Sequence, residues 1–263
     1  MTKNIWRFIE TLFLTGRIPS RRALAAITKL YGRRLERRWP FLIKSKGEAL
    51  NLGFEDLLEF QYARSQHFLF VSVGAFDGLS NDPISKFVQN HRCHGILLEP
   101  QASVFGQLCG NYAAFSNFKL LNMAVDEFSG SRDIFYIPRG IDGLPDWTEQ
   151  LASFSVDHIL KHEETVEGLS EHIHSQTVET ISFGDLLNKF KLSKIDVLQI
   201  DAEGMDAQLL KWFPFEQVKP SVLHFETAHM TSTEHLEIRE RLNGYGYFVR
   251  EADSVLDDMA VII

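Results

Sequence analysis

Phe68–Gly78, FLFVSVGAFDG, decides the fold of this chain. Phe68, Leu69, Phe70 and Val71 form a continuous apolar run of strand length, the pattern of a strand buried on both faces of a parallel sheet. The run passes straight into a turn, where Gly74 and Gly78 let the backbone bend sharply and come close to a ligand. Ser80-Asn81-Asp82-Pro83 then predicts a helix start, with a capping side chain ahead of a proline at an early helical position. A helix N-terminus that follows such a turn faces whatever the turn holds.

The next apolar run, His94–Pro100 (HGILLEP), ends in Glu99, placed about 20 residues after the turn, where an acid accepts hydrogen bonds from ribose hydroxyls. Dinucleotide-binding turns read G-x-G-x-x-G, whereas this one reads G-A-F-D-G. Asp77 beside a pyrophosphate would repel it. An acid there suits a cofactor with no phosphates and a cationic centre, which points to S-adenosylmethionine over NAD.

A second constellation is Ile195–Asp206, IDVLQIDAEGMD, where the apolar strand Val197–Ile200 ends at Asp201-Ala202-Glu203-Gly204. Parallel sheets place their chemistry at such carboxyl ends. In Ser221–Thr227, His224 and Glu226 share one strand face while Leu223 and Phe225 share the other. Each acid also has a plainer reading: Asp201 as a helix cap, Glu203 as a first-turn acid against the helix dipole, Asp206 on an exposed helix face, and His224 as an interior residue. Asp201, Glu203 and Glu226, with His229 nearby, further resemble a hard-metal ligand set. Two histidine pairs, His158 with His162 and His172 with His174, lack the H-E-x-x-H motif and any cysteine partner, so no metal is expected.

From residue 67 strands and helices alternate, which predicts a largely parallel sheet covered on both faces. Gln101–Tyr112 reads as a helix, Phe118–Val125 as the third strand with Asn122-Met123-Ala124 beside an adenine, and Trp147–His162 as a helix. Residues 138–176 form an insertion over the ligand edge of the sheet, the expected cap that binds an acceptor. Thr233–Leu242 reads as a helix, and Tyr247–Arg250 and Met259–Ile263 as strands close enough to pair antiparallel.

Length fits one catalytic domain, residues 67–263, behind a helical extension, residues 1–66. The charge is divided: residues 1–46 hold 12 Lys or Arg against Glu10 and Glu36, a net +10, and the overall −8 leaves −18 for the remainder. Trp6, Phe8, Ile9, Leu12 and Phe13 give the basic segment an apolar side, so it either packs on the acidic domain or lies on an anionic membrane surface. The acidic body, without interleaved basic and aromatic residues, excludes a nucleic-acid partner. Cys93 and Cys109 are too few for a disulfide framework, and no apolar run reaches membrane-span length; together these point to the cytoplasm.

VGAFDG, NDP, GILLEP, LPDW with QLASF, LQIDAEG and LHFET, in that order and spacing, resemble the FkbM-type S-adenosylmethionine-dependent methyltransferases over about residues 67–263. The resemblance implies a class I methyltransferase fold: a Rossmann-like three-layer α/β sandwich with a mostly parallel sheet and an antiparallel last strand. It implies S-adenosyl-L-methionine held by Ser72, Gly74, Ala75, Asp77, Gly78, Glu99, Pro100, Ala124 and Asp201. Catalytic candidates are Asp201, Glu203, His224 and Glu226, and the reaction implied is O-methylation of a sugar, glycan or related natural-product hydroxyl. Ser72 stands where class I relatives usually carry an acid, and Gln199 where many have lysine. The alternatives are a non-catalytic cofactor- or glycan-binding scaffold and an NAD-dependent oxidoreductase.

Overall fold

The computed structural model describes residues 54–80, 82–251 and 256–262, all within a compact unit that runs from Gly53 to Ile263. The basic segment 1–46 and the helices expected in it lie outside the described residues. The elements are α1 (Phe54–Arg64), β1 (Leu69–Val73), α2 (Ser85–Asn90), β2 (His94–Leu98), α3 (Ala102–Asn111), β3 (Phe118–Leu121), β4 (Ala124–Val125), β5 (Gly130–Tyr136) and β6 (Ala152–Ser153). They continue as α4 (Val156–Leu160), β7 (His174–Ile181), α5 (Phe183–Phe190), β8 (Val197–Ile200), α6 (Asp206–Trp212), β9 (Val222–Glu226), α7 (Ser232–Gly244), β10 (Tyr247–Glu251) and β11 (Asp257–Ile262).

The main sheet runs β10-β11-β9-β8-β1-β2-β3. Its pairings are parallel except those of β11, which runs against both β9 and β10. This is the class I methyltransferase order with its antiparallel last strand, as expected from the sequence. The central strands are apolar on both faces because helices cover both: Val71, Ile96, Leu98, Leu198, Ile200 and Phe225 are buried in one continuous core with Leu186, Leu209 and Phe213. Each such side chain contributes roughly 1.5–3 kcal/mol through burial. Capping follows local rules, since Ser182 accepts from Asp185 N at the start of α5 and Thr231 with Glu234 forms a capping box on α7. Among the described residues no helix is long and apolar enough to cross a membrane.

The expected third strand is two strands in different sheets. β3 ends at Leu121, the Asn122 amide donates to the carbonyls of Glu99 and Pro100, and β4 then joins a second sheet ordered β4-β7-β5-β6. Apolar periodicity continues across the break, so it carries no mark of the change of sheet. Trp147–His162 is likewise not one helix but a 3-10 turn at Asp146–Gln150, the short β6, and α4. These pieces close over a small core of Ile137, Leu151, Ile159, Val166 and Leu169, which accounts for their apolar spacing. Asp82 turns the chain by accepting from Ile84 N, and α2 begins later than expected, at Ser85. Cys93 is a buried free thiol, whereas Cys109 is free and exposed.

Candidate active site

A cleft lies at the carboxyl ends of β1, β2 and β8. Its floor includes Gly74, Ala75 and Phe76 from the first turn, and Glu99, Pro100 and Gln101 from the second. Gly74 has φ +76°, and a Cβ there would come within 1.7 Å of the Asp201 carbonyl oxygen, so only glycine lets the turns after β1 and β8 touch. Met123, Ala124 and Val125 form one wall. Gln150, Ala152, Ser153 and Phe154, from within residues 138–176, form another.

Glu99 is buried, and both its oxygens accept backbone N–H groups, from Phe76 at 3.0 Å and from Gln101 at 2.8 Å. Burial pushes its carboxyl up to about 7 against those two bonds. Across the cleft lie Asp82 and Gln199, joined by a 3.2 Å hydrogen bond from the Gln199 amide to Asp82 Oδ1. Asp82 Oδ2 and Gln199 Oε1 are buried with no hydrogen-bond partner among the described residues. Burial raises the Asp82 carboxyl to about 6. The sequence places Asp82 only at a helix start; the signal available is a second acid, after Asp77, within a few residues of the glycine turn.

Acidic groups gather at the carboxyl ends of β8 and β9. Asp201 reaches the cleft, and burial, followed by the charges of Asp206 and Glu203, pushes its carboxyl well above the usual carboxylate range. Its solvent-facing side weakens the first of these causes until a ligand covers it. Asp206 is buried rather than on an exposed helix face: it is 2% exposed, and its Oδ2 faces Ala202 N at the first turn of α6. Glu226 is pushed up to about 9 by burial and then by Asp201, Glu203 and Asp206.

Glu203 goes the other way. Burial would raise its carboxyl, but His158 and His229 beside it hold it below the usual value. Its Oε2 lies 3.5 Å from His158 Nε2 and 3.6 Å from His229 Nε2, and Glu226 Oε1 lies 3.7 Å from the same His229 nitrogen. Glu203 has φ +47°, a left-handed conformation that costs about 1–3 kcal/mol in a residue with a side chain and clusters at functional sites. Gly204 follows with φ +90°, and a Cβ there would fall 2.6 Å from His158 Nδ1, so glycine gives that ring its seat.

Of the residues singled out in the sequence, Gly74, Ala75, Glu99, Pro100, Ala124, Asp201 and Glu203 line the cleft, and Glu226 lies beside Glu203 through the shared His229. Ser72, Asp77, Gly78 and His224, like Glu226, do not line it. Asp77 is taken up by its own turn: its carboxylate accepts from Leu79 N and from the Ser80 amide and hydroxyl, and these bonds outweigh burial and hold it below its usual value. Gly78, at φ +72°, leaves room for Tyr112 and Leu108 of the neighbouring helix, since a Cβ would meet them at 2.4 and 2.7 Å. Ser72 is buried inside the sheet, in register with Gln199. His224 is buried and packs against Phe54 of α1, with ring centroids 4.3 Å apart and the rings tilted by 34°. His172 and His174 do not form a pair: one ends a 3-10 turn and the other begins β7.

The sequence matches the family model described as "Methyltransferase FkbM domain" over residues 72–249. No curated protein matches the chain. Similar solved structures include methyltransferase FkbM from Methylobacillus flagellatus KT, 14% identical, with 74% of this chain and 43% of that chain covered at a TM-score of 0.46. Another is precorrin-6y C5,15-methyltransferase from Geobacter metallireducens GS-15, 14% identical, with 84% and 90% covered at 0.37. A third is the O-methyltransferase from Bacillus cereus in complex with SAH, 9% identical, with 94% and 93% covered at 0.39.

Proposed function

Because this chain belongs to the FkbM methyltransferase family, we propose that it moves a methyl group from S-adenosylmethionine to a hydroxyl of a sugar, glycan or related natural-product acceptor. The observation that carries the reading is the cleft, which is lined by Glu99, by the apolar Met123 and Ala124, and by Asp82 and Gln199, whose Oδ2 and Oε1 have no hydrogen-bond partner among the described residues.

The donors and acceptors on the two sides fit the proposed cofactor. Glu99 keeps lone pairs for ribose hydroxyls after accepting its two backbone bonds. Met123 and Ala124 offer a flat base an apolar surface. Asp82 Oδ2 and Gln199 Oε1 are acceptors that would take an ammonium at the methionine end, the role for which Ser72 lacks a charge. When bound, S-adenosylmethionine supplies a methyl group activated on a sulfonium.

Asp201 is the proposed base. Burial, followed by the charges of Asp206 and Glu203, raises its proton affinity, which suits a group that accepts a proton. It then takes the acceptor hydroxyl proton, worth about a hundredfold or more in rate. The insertion wall, Gln150 to Phe154, excludes water and orients the acceptor.

Calorimetry of the full chain with S-adenosylhomocysteine, S-adenosylmethionine and NAD tests the reading. The first two are expected to bind saturably and NAD not, with Asp82→Asn weakening both by about tenfold or more, as for a lost charge-assisted hydrogen bond. Binding of NAD alone, or of none of the three, overturns it.

A further inference from the structure

At the edge of the cleft, five side chains from three separate parts of the chain converge with only long contacts between the imidazoles and the carboxylates. His158 comes from α4 and His162 from just beyond it, Glu203 from the turn after β8, Glu226 from the end of β9, and His229 from the loop that follows. The ligand atoms of His158, His162 and His229 lie within 4.8 Å of one another, and so do those of Glu203, Glu226 and His229. His158 is only 5% exposed, yet its Nε2 has no hydrogen-bond partner among the described residues; neither do the buried His162 Nε2 and Glu226 Oε2.

The spacing separates two explanations. A carboxylate bonded to a protonated imidazole closes to about 2.7–2.9 Å. The contacts here are 3.5, 3.6 and 3.7 Å, too long for that. Two ligands bound at about 2.0–2.1 Å to one ion sit roughly 3.0–3.5 Å apart; the His158–Glu203, His229–Glu203 and His229–Glu226 separations need to close by only a few tenths of an ångström, and His162, within 4.8 Å of His158 and His229, moves further. Acids crowded at the ends of β8 and β9 also favour a cation over an empty space among them.

We propose that His158, His162, His229 and Glu203 bind one first-row divalent transition-metal ion, with Glu226 a fifth donor in reach. Three imidazoles select such an ion over magnesium or calcium, which favour oxygen donors. The site ties the insertion, through His158 and His162, to the carboxyl ends of β8 and β9. Glu203 belongs both to this set and to the cleft lining, so an ion here stands at the cleft edge. Its further role, holding an acceptor hydroxyl by its oxygen, rests on the methyl-transfer reading; the ion site itself does not.

The test uses the full chain without a polyhistidine tag, stripped with chelator and titrated with Co2+ while visible d–d absorption is followed. One Co2+ per chain is expected, displaced by Zn2+ and not by Mg2+. His229→Ala and His162→Ala should each weaken Co2+ binding about a hundredfold, the upper range known for disturbing a metal site. Unchanged far-ultraviolet circular dichroism and S-adenosylhomocysteine affinity in His162→Ala would show that the fold and cofactor cleft persist. Absence of Co2+ binding, binding undiminished in both variants, or binding of Mg2+ alone overturns the site. Loss of S-adenosylhomocysteine binding with Co2+ binding retained would instead count against the methyl-transfer reading.

Discussion

The two ends of β8 carry buried acids of opposite character. Asp196, just before the strand, is fully satisfied: it accepts from Leu69 N at 2.9 Å, Gln61 Nε2 at 2.7 Å and Ser65 Oγ at 3.0 Å, and pairs with Lys194 at 2.6 Å. Just beyond the other end, Asp201, Glu203 and Asp206 crowd together with Glu226, and Asp206 Oδ1 and Glu226 Oε2 have no hydrogen-bond partner among the described residues. The same residue type thus fastens α1 to the sheet at one end and leaves unmet bonding capacity at the other. A fold tolerates such unmet capacity where a ligand supplies the partner.

Breaking the satisfied end should have the largest effect. Asp196→Ala leaves Leu69 N and the Gln61 amide unpaired in the interior and is expected to cost about 3–5 kcal/mol, read from urea unfolding. A cost below about 1 kcal/mol would erase the contrast. At the other end the sign should reverse. Asp206→Asn removes a charge that burial disfavours and is expected to stabilise the ligand-free chain by about 1–2 kcal/mol at pH 8. A loss of stability there would mean that the acids are already compensated.

The smallest effect concerns Glu99. Its folded-state pKa, about 7, lies above the ordinary 4.5, so the unfolded chain releases this proton first, and this group's contribution to stability falls as pH rises from about 4.5 to 7. Ribose hydroxyls favour the ionised form. Affinity for S-adenosylhomocysteine should therefore rise about threefold to tenfold between pH 6 and 8 in calorimetry, and Glu99→Gln should flatten that rise.

Much of this was legible along the chain, for local reasons. The apolar run into Gly74, the run into Glu99 and the strand into Asp201 each state strand, turn and chemistry within a dozen residues, and the structure brings all three to one cleft. Asp77 shows where local reading misleads: an acid in a ligand-binding turn was read as facing the ligand, but the nearest donors, Leu79 N and Ser80, capture it first.

The sequence by itself determined the sheet order, through its family pattern, and which strand ends carry acids. Tertiary structure alone decided that β4 leaves the main sheet, that Asp82 meets Gln199, and that His158 and His162 find His229 rather than His172 and His174. Strand and helix periods report which face a residue takes within its own element. Which distant faces then meet depends on how the elements pack, and that choice is made by the whole core at once.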